Sequence, residues 1–97
     1  LLLNLMRNAA QAASEHRADP AVTLTIAAAD PVMIEVADNG PGVPEKLRQE
    51  VFLPFFTTRA SGTGVGLNLA RQIAVAHGGT LEVHDAPGGG AVFRLLL

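Results

Sequence analysis

Apolar residues recur at intervals of three and four from Leu2 to Glu15, at Leu2, Leu5, Met6, Ala9, Ala10 and Ala13, while Asn4, Asn8, Gln11 and Glu15 form a second stripe of the same period. That spacing predicts an amphipathic helix with one buried face. After Pro20 the period changes to two over Val22-Thr23-Leu24-Thr25-Ile26, whose β-branched residues suit a half-buried strand. Asp30-Pro31 supplies a turn, and Val32, Ile34 and Val36 then alternate with Met33, Glu35 and Ala37 in a second strand. The turn residues Asp38-Asn39-Gly40-Pro41-Gly42 end it, so the two strands are expected to pair as a hairpin. Pro44 and Glu45 open a short helix expected to run to about Val51, which Pro54 stops before Phe55-Phe56-Thr57-Thr58.

A loop rich in Gly and small polar residues follows from Arg59 to Gly66. Leu67, Ala70, Ile73, Ala74 and His77 then mark a helix closed by Gly78-Gly79. Leu81 and Val83, with Val92, Arg94 and Leu96 beyond Pro87-Gly88-Gly89-Gly90, complete a second hairpin. Segregated hairpins with helices between them predict an α+β sandwich, one sheet with helices on a single face, its other face left for chain beyond this sequence to cover.

Composition narrows the function. The 97 residues allow a single domain, and 7 Lys plus Arg against 9 Asp plus Glu give a net charge of -2, too little basic charge for a nucleic-acid or acidic membrane surface. No run reaches the roughly 18 apolar residues of a membrane helix. The absence of Cys removes disulfides, thiolate nucleophiles and thiolate metal sites together. The chain opens on Leu1-Leu2-Leu3 without an initiator Met or a signal-peptide pattern and ends on Phe93-Arg94-Leu95-Leu96-Leu97 in strand pattern, so it reads as one domain, 1–97, of a longer protein.

Any phosphate site must therefore be local. Eight of the ten glycines lie from Gly62 onward, three of them at alternate positions in Gly62-Thr63-Gly64-Val65-Gly66-Leu67 directly before a helix. Backbone N–H groups in such a turn, with the positive end of the helix dipole behind them, suit a triphosphate; a flexible surface loop has the same composition. It is neither a Walker A loop, for lack of the following Lys-Ser or Lys-Thr, nor a Rossmann fingerprint, for lack of its spacing and preceding strand. Asp38, at a strand end beside two glycines, either accepts a hydrogen bond from an exocyclic amine such as adenine N6 or bonds its own turn. Asn4 and Asn8, one helical turn apart, offer amide oxygens to a hard cation or are solvated surface residues. His16, His77 and His84 have no partner at metal or triad spacing, and His77 is placed to complement the helix C-terminus. Arg59 is within reach of a phosphate, whereas Arg7, Arg17, Lys46, Arg48, Arg71 and Arg94 read as surface charge. Phe52, Phe55 and Phe56 are expected to pin the base of the glycine loop into the core.

Four segments then occur in one order: Asn4-Leu5-Met6-Arg7-Asn8-Ala9, Asp38-Asn39-Gly40-Pro41-Gly42-Val43, Phe52-Leu53-Pro54-Phe55-Phe56-Thr57-Thr58-Arg59 and Gly62-Thr63-Gly64-Val65-Gly66-Leu67. Together they resemble the N box, first glycine box, F box and second glycine box of the ATP-binding catalytic domain of bacterial sensor histidine kinases, over nearly the whole chain. The resemblance implies a Bergerat-type sandwich with a mixed, mostly antiparallel sheet, ATP and Mg2+ as ligands, and a lid from about Thr57 to Thr63. It assigns adenine recognition to Asp38, a pocket shaped by Gly40 and Gly42, magnesium ligation to Asn8 and support of that site to Asn4. Gly62, Thr63, Gly64, Val65, Gly66 and Leu67 would line the phosphates, with Arg59 near the terminal one and Thr57 and Thr58 at the lid's base.

The implied partners are a dimerisation domain carrying the phosphoacceptor histidine, outside this chain, and a response regulator. The implied location is cytoplasmic, in a parent either soluble or anchored in the inner membrane. Two departures stand out. Gln11 occupies a position that is basic in many members, three residues after Asn8, and the chain that normally precedes the N-box helix is absent, which leaves a sheet edge and apolar surface open. Hydrolytic relatives such as gyrase, mismatch-repair and heat-shock chaperone ATPases carry a Glu four residues before the magnesium Asn, where this chain has Asn4. An amide is no general base, so transfer to histidine is expected over hydrolysis or serine phosphorylation. A hydrolytic ATPase of this fold and a nucleotide-binding regulatory module without transfer are the rival readings.

Overall fold

A computed structural model describes residues 2–53 and 66–97. The elements are α1 (Leu2–His16), β1 (Val22–Ala27), β2 (Met33–Asp38), two separate 3-10 turns (Glu45–Leu47 and Glu50–Phe52), α2 (Gly66–Ala76), β3 (Thr80–Asp85) and β4 (Ala91–Leu96). The strands form one sheet in the order β1-β2-β4-β3, with every pairing antiparallel. The two-layer α/β sandwich expected from the sequence is therefore present, with no parallel pair among the described strands.

One parity of the strands faces the helices. Val36 pairs with Phe93 and Phe93 with Val83, so these three stand side by side on the same face. Leu5 and Ala9 of α1 and Ala70 and Ala74 of α2 close over them in a single buried cluster with Leu81, Ala91 and Leu95. The helices can lie close to the sheet because the residues at the contact are small: Ala9, Ala13, Ala70 and Ala74 are all fully buried. The buried stripe of α1 is narrower than its periodicity suggests, since Met6 and Ala10 are exposed. On β4 the buried side chains include Ala91, Phe93 and Leu95, the parity opposite to Arg94.

The far face of the sheet mixes ion pairs with apolar residues, Met33, Val92 and Leu96 among them. Arg94 Nε donates to Glu35 Oε2 at 2.7 Å and His84 Nε2 lies 3.2 Å from Glu82 Oε1. These half-exposed pairs are worth at most about 1 kcal/mol each, and their main effect is to keep that face wet. The opposite edge of the core is less well sealed. Val22, Leu24 and Ile26 have the helix-facing parity on β1 yet are 36%, 39% and 60% exposed, because β1 is an edge strand that α1 only partly overlaps.

The expected helix from Pro44 to Val51 is instead two single turns, each closed by two backbone bonds, Leu47 and Arg48 N–H to the Pro44 and Glu45 carbonyls, and Phe52 and Leu53 N–H to the Gln49 and Glu50 carbonyls. The second turn buries Phe52, which meets Phe93 edge to face at 6.3 Å and carries the Arg71 guanidinium 4.6 Å above its ring. Phe52 thus does pin this region into the core; Phe55 and Phe56 lie outside the described residues. Asn68 Nδ2 of α2 donates to the Phe52 carbonyl at 3.0 Å, joining the chain on either side of the segment 54–65. At the other end of α2, Gly79 N–H returns to the Ala74 carbonyl and His77 Nδ1 lies 2.8 Å from the Ile73 carbonyl, so the histidine caps the helix as its position predicts. Among the described residues no helix is long and apolar enough to cross a membrane.

Candidate functional site

The end of β2 is where the sheet, α1 and the β3–β4 hairpin converge. Asp38 is the last residue of β2, has the helix-facing parity of Val36, and is the one buried charged or polar side chain among the described residues, at 5% exposure. Two backbone donors converge on its Oδ1: Gly40 N–H at 2.8 Å and Ala91 N–H at 3.3 Å. The first is the turn-forming bond that an Asp makes two residues on; the second comes from across the sheet. Oδ2 receives no hydrogen bond from any described residue. A carboxylate has acceptor sites on both oxygens, and no buried side-chain oxygen or nitrogen among the described residues is left without a partner, so Oδ2 is not an orphaned buried acceptor. One oxygen of Asp38 thus holds the turn, as the turn-forming reading expects.

The glycines of this turn are required by space and by backbone. A Cβ on Gly40 would lie 2.8 Å from both the carbonyl C and O of Ala12 and 3.0 Å from Asp38 Oδ1, so the turn touches α1 main chain to side-chain-free main chain. Gly42 has φ +77, a conformation L side chains rarely adopt, and its Cβ would meet the Gly90 carbonyl oxygen at 3.1 Å. Gly40 and Gly42 thus do shape the surroundings of Asp38, pressed between α1 and the β3–β4 turn.

Asn8 lies half-buried on α1, one helical turn before Ala12, and Asn4 lies one turn earlier on the same helix. That places the Asn8 position about 6 Å along the helix from the contact with Gly40. Gly66 opens α2, and Leu67 in its first turn packs against the core. Thr57, Thr58, Arg59, Gly62, Thr63, Gly64 and Val65 lie outside the described residues. Among the described residues no group of three His, Cys, Asp or Glu side chains is placed to hold a metal ion.

Sequence reasoning missed the donor from Ala91 and the part played by Arg17. Arg17 is not idle surface charge: its Nε donates to the Asn39 carbonyl at 2.9 Å, beside Asp38. Arg48 and Arg94 likewise have partners, Asp85 and Glu35, each at 2.7 Å.

Comparison with known proteins agrees with this geometry. The model of the family described as histidine kinase-, DNA gyrase B-, and HSP90-like ATPase matches residues 1–97. The chain belongs to this family. Within it, the chain is 43% identical to the sensor protein FixL of Bradyrhizobium diazoefficiens and 42% identical to the signal transduction histidine-protein kinase AtoS of Escherichia coli, along its whole length. It spans 19% and 16% of those two proteins. Among solved structures, the nucleotide-free catalytic domain of histidine kinase ThkA superposes with a TM-score of 0.84 at 33% identity, covering 99% of this chain and 63% of that one. The mycobacterial sensor histidine kinase MprB gives a TM-score of 0.85 at 31% identity, covering 99% and 66%. Full-length ShkA, solved in complex with AMPPNP, gives 0.76 at 33% identity, covering 98% of this chain and 20% of that one. The chain is an ATP-binding module of the sensor histidine kinase type, the kind that serves two-component signalling.

Proposed function

We propose that this domain, residues 1–97, binds Mg-ATP with the adenine amine on Asp38 Oδ2, and that the protein containing it transfers the γ-phosphate to a histidine on a separate dimerisation domain. The observation that carries the reading is the buried Asp38 carboxylate with two donors on Oδ1 and none from the described residues on Oδ2. A Cβ on Gly40 would come within 3.0 Å of Asp38 Oδ1, and one on Gly42 would meet the Gly90 carbonyl. The phosphates would extend toward Asn8 on α1 and the glycine segment Gly62 to Gly66, with Thr57, Thr58, Arg59, Thr63, Val65 and Leu67 around them and Asn4 supporting Asn8. When bound, Mg2+ would neutralise phosphate charge as the leaving ADP departs, with the Asn8 amide as its protein oxygen.

The residues on α1 favour transfer over hydrolysis. An Asn4 amide has no lone pair basic enough to take a proton from water near pH 7, so water in the site lacks a base to activate it. A histidine nitrogen needs no such help: its neutral imidazole attacks the γ-phosphorus, the bond to the β–γ bridging oxygen breaks, and ADP leaves with the electron pair. Of the three histidines of this chain, His77 is engaged with the Ile73 carbonyl through Nδ1, His84 stands beside Glu82 on the far face of the sheet, and His16 is the last residue of α1. The resemblance to sensor histidine kinases supports an acceptor on the dimerisation domain, from which a response regulator would take the phosphoryl group. Contact with nucleic acid or with a membrane is not part of the proposal.

Incubating the full-length protein with γ-labelled ATP tests this directly. The expected product is label on protein that survives base and is lost in acid, as a phosphoramidate is, with phosphate release far slower than labelling. Steady phosphate release without protein label would support a hydrolase instead, and tight ATP binding with neither product would support a regulatory module.

A further inference from the structure

Asn39 directly follows Asp38 at the end of β2. A turn-forming Asn bonds its own backbone two residues on, but in this turn Asp38 makes that bond. Asn39 instead reaches the link between α1 and β1. Its Nδ2 donates to the Asp19 carbonyl at 2.8 Å and its Oδ1 accepts from Ala21 N–H at 2.9 Å. Its own N–H donates to the Ala21 carbonyl at 3.3 Å and its carbonyl accepts from Arg17 Nε at 2.9 Å. All four polar groups of one residue are thus committed to residues 17–21.

The consequence falls on Asp38. The residue before Asn39 carries the carboxylate, and the residue after it, Gly40, lies against the Ala12 backbone. With Asn39 clamped to the chain leaving α1, the turn 38–40 is fixed to that helix at two adjacent points, and the direction of the Asp38 side chain is fixed with it. We infer that Asn39 is a positioning residue for base selectivity, holding Asp38 so that Oδ1 stays on the Gly40 and Ala91 amides while Oδ2 meets the exocyclic amine of the nucleotide. This rests on the reading of Asp38 as the adenine acceptor. Hydrogen bonds weaken steeply with misalignment, so a loosened turn loses selectivity for the amine before it loses the nucleotide.

The test compares affinities for ATP and for purine riboside triphosphate, the same ligand without the amine, by calorimetry on the full-length protein. Partial unfolding scales both apparent affinities equally, so their ratio reports the site alone. In Asn39→Ala the preference for ATP is expected to fall by about 5- to 10-fold, part of the value of one hydrogen bond to a charged group. Asn39→Asp keeps the acceptor for Ala21 N–H but loses the donor to Asp19, and its ratio is expected to lie between the two. Asp38→Asn serves as the reference and is expected to abolish the preference. A wild-type ratio in Asn39→Ala, with the preference lost in Asp38→Asn, would make Asn39 a support of the fold only and overturn the inference. A wild-type ratio in Asp38→Asn would overturn the Asp38 reading and this inference together. If Asn39→Ala does not fold, Asn39→Asp decides, and a wild-type ratio there overturns the inference.

Discussion

Asp38→Asn is expected to weaken ATP binding on the order of 100-fold, about 3 kcal/mol, while the domain stays folded. The amide oxygen can replace Oδ1 as acceptor for the Gly40 and Ala91 N–H groups, so the turn keeps both of its hydrogen bonds. The amide nitrogen then stands where Oδ2 was and presents a donor to a donor. The ligand loses a hydrogen bond to a charged group and leaves its own amine buried without an acceptor, and the second of these costs more than the first. Purine riboside triphosphate, which has no amine to lose, should bind wild type and variant with similar affinity. Calorimetry on both ligands, with circular dichroism to establish that the variant is folded, checks this. An Asp38→Asn variant with wild-type ATP affinity would show that the amine does not reach this carboxylate.

The second large effect is on stability. Gly40→Ala is expected to destabilise the domain by about 1–3 kcal/mol and to cut ATP affinity at least about 10-fold. The neighbours a Cβ would meet at 2.8 Å are the carbonyl C and O of Ala12, which are main chain of α1 and cannot rotate away as a flexible side chain would. Either α1 moves outward, opening the contact that buries Leu5, Ala9 and Ala13, or the turn moves and takes Asp38 with it. Both routes harm the site, and urea denaturation read alongside ATP titration separates them by which loss is larger. A variant matching wild type in both would mean that α1 and the first glycine turn do not touch.

How much of this was legible in the sequence depends on the range of each interaction. The helix over α1 and the alternation in β1 and β2 are local periodicities, and the structure places all three elements within a residue or two of where the pattern puts them. Asp38 was legible because a carboxylate at a strand end beside glycines is a local signal. Its partner Ala91 was not, because the bond spans 53 residues and depends on β4 pairing with β2 across the sheet. Asn39 looked like an ordinary turn residue for the same reason: its partners lie 18 to 22 residues back, in a link with no pattern of its own. Arg17 was read as surface charge since nothing local distinguishes a solvated arginine from one that caps a carbonyl.

The Pro44 to Val51 segment shows the opposite failure. Its start signal was sound, with Pro44 in the extended conformation that precedes a helical turn, but the segment is short, and two 3-10 turns place Val51 and Phe52 in the core where one continuous helix was expected. On β1, alternation told correctly which residues share a face, and could not tell how far α1 reaches over them; Ile26 remains 60% exposed.

The central claim is that this domain holds Mg-ATP, and calorimetric titration of ATP into the full-length protein, with and without Mg2+, tests it most directly. The account predicts one nucleotide per chain, with affinity that drops when magnesium is removed by chelation. A protein that is folded by circular dichroism and gives no binding heat with ATP in the presence of magnesium, at several temperatures, would contradict it.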